Sequence, residues 1–295
     1  MRGTGSTLTR VLGFSALVTL AGTVVLGLWT TPPDVVQGEL VRFIYIHPPI
    51  ATMGEVAFGV TALASVLYLW PRTRARRWDL VAGVSAEVGV VFAALTLVTG
   101  SIWGRPTWGV WWTWDARLTT TALLLALFLG YLALRRVPGE PDGRATRSAV
   151  AGLVAALDVP IVHYSVNWWR TLHQGSTLFR RKPLIHGVQL EAMLLGFVAF
   201  ALVYAWLVVH RYRVEDLATQ LDDPLGDRGL AIEGTVEEHE TTSPGTADLA
   251  SDHAQPARLL VHLLDPGGRH IDRRLLFRQE VLVENFRQIT QPAGQ

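Results

Sequence analysis

The sequence predicts an all-α integral membrane protein: six transmembrane helices, followed by a mostly disordered cytoplasmic C-terminal extension. Three observations predict it. Apolar residues make up 49% of the 295 positions and charged residues only 17%, with a positive mean hydropathy; a soluble chain of this length carries more charge. Six apolar stretches, roughly 11–29, 50–70, 79–102, 118–134, 149–166 and 185–209, approach the ~20 helical residues that cross a hydrocarbon core. Arginines cluster in alternate loops, about twelve on one side against seven cations on the other, which orients both termini toward the cytoplasm.

The first stretch follows Arg2 and Arg10 in the manner of a signal peptide. Its apolar run of about 18 residues exceeds a usual signal core and no clear A-x-A site follows, so a retained helix is expected. The second stretch is entered through FIYIHPP. Pro48 disfavours helix at His47, and prolines in a first helical turn cost no internal hydrogen bond, so His47 is expected at a loop-to-helix junction. The third and fourth stretches are joined by WGRPTWGVWWTWDARLT (103–119), which holds five of the chain's eleven tryptophans. The fifth runs into HYSVNWWRTLHQGST (163–177), with His163 and His173 flanking Trp168 and Trp169. Six spans put loops 30–49, 103–117 and 167–184 on one face.

There are no cysteines. A disulfide framework, a thiolate metal site and covalently attached haem within this chain are therefore excluded. No phosphate-binding G-x-x-x-x-G-K-[ST] loop occurs, so any ATP-driven step belongs to a separate subunit. Neutral imidazoles from two of the outer loops suit haem iron, zinc or copper alike. The tryptophans favour haem, because a porphyrin has two broad apolar faces and a zinc or copper site needs none. Arg105, Arg117, Arg170, Arg180 and Arg181 are forked donors suited to its propionates. Trp29, Trp70, Trp78 and Trp206, near span ends, read as interface anchors. His163 and His186 read as structural or ligating alike. Glu55, Glu87, Asp158 and Glu191 lie within apolar stretches, where acids face a bundle interior or a cavity.

The run TGSIWGRPTWGVWWTWDARLTT resembles the tryptophan-rich "WWD" signature of the haem-handling proteins of cytochrome c biogenesis. With VPIVHYSVNWWRTLHQGST and RFIYIHPP, the chain over about residues 10–212 resembles the haem exporter protein C family. That resemblance implies non-covalent, transiently held haem b at the periplasmic side of the bacterial inner membrane. It implies axial ligands at His47 and His173 and a platform at Trp108, Trp111, Trp112, Trp114 and Asp115, with Arg105 and Arg117 beside it. Asp115 is expected to organise its loop rather than touch iron. The implied partners are a membrane-anchored periplasmic haem chaperone, an ABC-type ATPase with its permease, and a small membrane subunit, with no nucleic acid. The implied role is transfer rather than catalysis, with at most an assisting part in loading the chaperone. A haem-attaching cytochrome c synthase and a membrane cytochrome b-like electron carrier are the competing readings. The first usually adds spans and a large external domain, and the second places its histidines inside spans.

Two departures from the family pattern stand out: Pro49 directly follows Pro48, and the chain continues well past the sixth span. The expected organisation is a haem-handling membrane domain over 1–212, an acidic disordered linker over 213–257, and a small segment over 258–295 built around a DPGG turn.

Overall fold

The computed structural model describes residues 6–173, 175 and 185–222. The expected segment at 258–295, most of the linker, Arg180 and Arg181 lie outside the described residues. Helix α1 spans Thr7–Val25, α2 His47–Leu69, α3 Arg76–Trp108, α4 Ala116–Arg135, α5 Pro141–Ala156, α6 Asp158–Trp168 and α7 Gly187–Asp222. Among the described residues six helical stretches are long and apolar enough to cross a membrane, and each overlaps one stretch expected from the sequence. The fifth consists of α5 and α6 together. Pro160 explains the break at Leu157: it has no N–H to offer the Ala156 carbonyl, and its ring crowds that carbonyl. Helix α7 runs on beyond residue 212, through the first part of the stretch expected as linker.

Helices α2 and α3 are the most buried and pack together along their length, while α1, α4 and α7 lie at the periphery. Lipid tails are as apolar as leucine, so close packing and polar pairs, rather than water exclusion, hold such a bundle. Phe58 of α2 stacks on Phe128 of α4 at 3.7 Å. Small residues (Ala57, Ala86, Ala93) are almost fully buried beside them. Polar clamps join the helices near one end. Arg135 holds both oxygens of Asp79 at 2.6 and 3.1 Å, and Arg211 holds Glu87 at 2.7 Å. Both partners of the Asp79–Arg135 pair are largely buried. Replacing Asp79 by alanine strands a buried guanidinium and is expected to cost about 3 kcal/mol, read as an earlier thermal unfolding midpoint in detergent.

At the opposite end, α1 finishes in a π-helical turn, Leu26–Thr30. The Thr31 N–H reaches back to the Leu26 carbonyl at 3.2 Å, which frees the Gly27 carbonyl. Arg42 Nη1 and the Thr31 hydroxyl both donate to it at 2.6 Å. Insertion of donors into the helical ladder is an established cause of such bulges. Arg42 belongs to the 3-10 helix Glu39–Tyr45, so this contact pins the segment that delivers the chain to His47.

Candidate functional site

A cavity of about 360 Å³ lies where α2 begins, α3 ends, α4 begins and α6 ends. His47 and His173 both line it, and both also line a smaller pocket of about 70 Å³ that runs into the bundle toward Phe58 and Leu124. His47 opens α2, with Pro48 and Pro49 filling the first turn. Its ring rests against the α3 backbone at Gly100, where an added Cβ would stand 3.0 Å from the imidazole. His47 Nδ1 lies 2.9 Å from the Thr99 hydroxyl. That hydroxyl also lies 2.8 Å from the Leu95 carbonyl, and with its proton directed there it accepts from His47. In that arrangement Nδ1 carries the proton and Nε2 keeps its lone pair.

Asp115 arranges the other side. One oxygen caps α4 by accepting the Leu118 N–H at 2.8 Å, as N-cap aspartates do. The other gathers three consecutive residues: the Thr171 hydroxyl at 2.5 Å, the Leu172 N–H at 3.2 Å and His173 Nδ1 at 3.1 Å. Burial alone would push this carboxyl up, but the bonds from Thr171, Leu118 and His173 outweigh it and hold it below its ordinary value. Burial, reinforced by the Arg117 charge, holds His173 below its ordinary value despite the neighbouring carboxylate. At neutral pH the pair is therefore carboxylate and neutral imidazole, again with Nε2 available.

Trp103 and Trp108 form the aromatic part of the cavity wall. Trp103 meets the His47 ring edge-on at 5.8 Å and donates its indole N–H to Gln37 at 3.1 Å. Trp108 meets the His173 ring edge-on at 4.9 Å. It folds back over Gly104, where a Cβ would come within 2.9 Å of the indole. Ile44, Pro48, Ile185 and Met193 complete an apolar lining. The remaining members of the expected platform are placed elsewhere. Trp111 and Trp114 are 60% and 81% exposed. Trp112 packs edge-on against Trp114 at 5.5 Å, and its buried indole N–H has no partner among the described residues.

Arg117 lines the cavity, but its guanidinium is committed to α6, donating to the His163 carbonyl at 2.9 Å and the Val162 carbonyl at 3.3 Å. Arg105 is outside the lining and donates to the Gly109 carbonyl. Sequence reasoning did not single out Trp103 or Thr99. It also left open Glu55 and His163, which form a pair at 2.8 Å on the cavity wall. A pairing across 108 residues leaves no local sequence signal.

Two imidazoles sharing one cavity beside indole walls are a donor set of the kind an iron porphyrin takes. Among the described residues there is no cluster of three or more His, Cys, Asp or Glu suited to a bare metal ion. The family model for heme exporter protein C matches residues 2–224. The chain belongs to the heme exporter protein C family. Heme exporter protein C of Haemophilus influenzae is 37% identical over 218 residues, 74% of this chain and 88% of its own. The Escherichia coli K12 protein of the same name is 36% identical over 209 residues, 68% of this chain and 81% of its own. A ccmC-like mitochondrial protein of Marchantia polymorpha, named for cytochrome c biosynthesis, is 35% identical over 190 residues, 64% of this chain and 79% of its own. The heme exporter protein C match thus takes in all six spans and every residue named above.

Proposed function

We propose that this multi-pass membrane protein handles haem for cytochrome c biogenesis, holding it between His47 and His173 and releasing it to a haem chaperone on the periplasmic side. The observation that carries this reading is the meeting of two imidazoles in one cavity, each fixed through Nδ1 and each keeping Nε2 for iron. Family membership supports haem as the cargo. Both termini then face the cytoplasm, and the partners are the chaperone and the remaining subunits of an export system.

Each protein group has a definite task. Thr99 and Asp115 orient the imidazoles so that no ligand has to reorganise on binding. Trp103, Trp108 and the aliphatic lining keep water from the porphyrin faces, and each 100 Å² of apolar surface covered is worth about 2.5 kcal/mol before ordering costs. Haem bound here is cargo, which the protein takes up and gives away unchanged. The ligands must therefore be exchangeable, which two histidine–iron bonds permit and a covalent thioether would not.

The test is haem content after mild purification from haem-replete membranes, measured as the pyridine haemochrome. Stoichiometric haem is expected in the wild type, whereas a haem-free wild-type protein would reduce the tryptophans to membrane anchors. Alanine at Trp103 or Trp108 is expected to weaken retention about tenfold, the loss of roughly 1.4 kcal/mol of wall contact. Alanine at Trp114 is expected to leave retention unchanged, because that ring lies off the cavity wall. Acid should also release the cargo in one direction only. Since His173 is held below its ordinary value of 6.5, retention is expected to persist as pH falls through 6.5 and to fail only at lower pH, when the ring protonates and loses its lone pair. Titrating the Soret band checks this, and loss of the low-spin spectrum on raising the pH instead would contradict it.

A further inference from the structure

We infer that the two histidines are unequal ligands: His47, backed by the Thr99 hydroxyl, is the ligand displaced first at transfer, and His173, backed by the Asp115 carboxylate, is the one that lets go last. This rests on the haem reading above and adds a direction to it.

The inequality comes from what each Nδ1–H meets. Thr99 offers a neutral oxygen whose own proton is directed to the Leu95 carbonyl, so His47 remains an ordinary neutral imidazole. Asp115 offers a buried carboxylate, its side chain 7% exposed. A carboxylate accepting the Nδ1–H of a ligating histidine draws that proton away and makes Nε2 a stronger donor. The Thr171 hydroxyl and the Leu172 N–H share the same oxygen and moderate the effect. They leave it larger than a neutral hydroxyl provides. A strong donor on one side of the iron also weakens the bond opposite, so both influences fall on His47.

Position in the fold does not reverse this order. His47 sits on a helix and His173 on a loop, but residues 171 to 173 all bond to Asp115, which is itself the cap of α4. The loop ligand is thus anchored to a helix end as directly as His47 is. In the exchange, the bond from iron to His47 Nε2 breaks with its electron pair returning to the imidazole. A lone-pair donor of the acceptor supplies a new pair to the vacated position, and the iron–His173 Nε2 bond breaks second, its pair likewise returning to the imidazole, so that the haem leaves. Iron is neither oxidised nor reduced, and no proton needs to move. Thr99 and Asp115 act as positioning residues, each through the histidine it holds.

Resonance Raman spectra of the reduced full-length protein test this, because the iron–histidine stretch of five-coordinate ferrous haem reports the donor strength of the one remaining imidazole. The His47→Gly chain, which keeps His173, is expected to show the higher stretching frequency. The His173→Gly chain, which keeps His47, should show the lower. Adding Asp115→Asn to His47→Gly should bring its frequency down to that of the other variant, and adding Thr99→Val to His173→Gly should leave its frequency in place. Equal frequencies, or the reverse order, would overturn the inference while leaving the haem site standing. Should either single variant fail to fold, carbon monoxide added to reduced wild type provides the same reading. The iron–carbon stretch is expected to shift with Asp115→Asn and not with Thr99→Val, and the opposite sensitivity would overturn the assignment. Haem missing from the wild type itself would remove both this inference and the reading beneath it.

Discussion

A chain carrying His47→Ala and His173→Ala together is expected to purify without haem at wild-type abundance. Each single substitution is expected to leave a weakened, partly loaded protein. Both imidazoles line the same cavity, so either alone still provides one axial ligand and the full aromatic wall. Removing both leaves only apolar contact with a porphyrin whose iron then has no protein donor. Neither side chain is part of the bundle core: His47 rests on Gly100 and His173 on Trp108. The double variant should therefore keep the thermal unfolding midpoint of haem-depleted wild type, below that of the loaded protein by the stabilisation the ligand supplies. Haemochrome content measured beside a thermal melt separates loss of ligand from loss of fold, and wild-type haem in the double variant would sink the ligand assignment.

Asp115→Ala is expected to come close to the double histidine variant in effect, although Asp115 is assigned no bond to iron. One carboxylate caps α4 and holds Thr171, Leu172 and His173 together. Loss of an N-cap costs about 1 kcal/mol, and loss of the group orienting a metal-ligating histidine typically lowers affinity by roughly 10- to 100-fold. Asp115→Asn should be milder for stability, because asparagine caps helices equally well, while still weakening haem retention. Haem occupancy at matched expression for the wild type, the asparagine and the alanine variant gives the ranking. Equal occupancy in all three would show that the 171–173 segment reaches its place without this carboxylate.

Much of this architecture is legible in the sequence, for a physical reason. In lipid a spanning segment must satisfy its own backbone hydrogen bonds, so length and apolarity alone locate the helices. Pro48 and Pro49 betray the start of α2, and with it the placement of His47. Asp115 accepts from Leu118, Thr171, Leu172 and His173, contacts with 171–173 that its sequence neighbours do not specify. The division of labour among the tryptophans was not legible. Their crowding in 103–119 suggests a single platform, but Gly104 turns Trp108 back onto the cavity, whereas Trp111 and Trp114 lie past Gly109, in a left-handed conformation (φ +82°), and are left exposed. Thr99 is one threonine among many in an apolar helix. Nothing in its neighbourhood announces that it faces His47, 52 residues earlier. Contacts of that kind depend on how helices rotate against one another, which one-dimensional periodicity does not encode.

The central claim is that His47 and His173 bind the same iron from opposite sides. The most direct measurement is the near-infrared magnetic circular dichroism of the oxidised, purified protein, since the charge-transfer band of low-spin ferric haem identifies its pair of axial ligands. A bis-imidazole band in the wild type that disappears when either histidine is replaced is the predicted result. A high-spin spectrum, a band from histidine with a different second ligand, or a bis-imidazole band that survives replacement of either residue would contradict it.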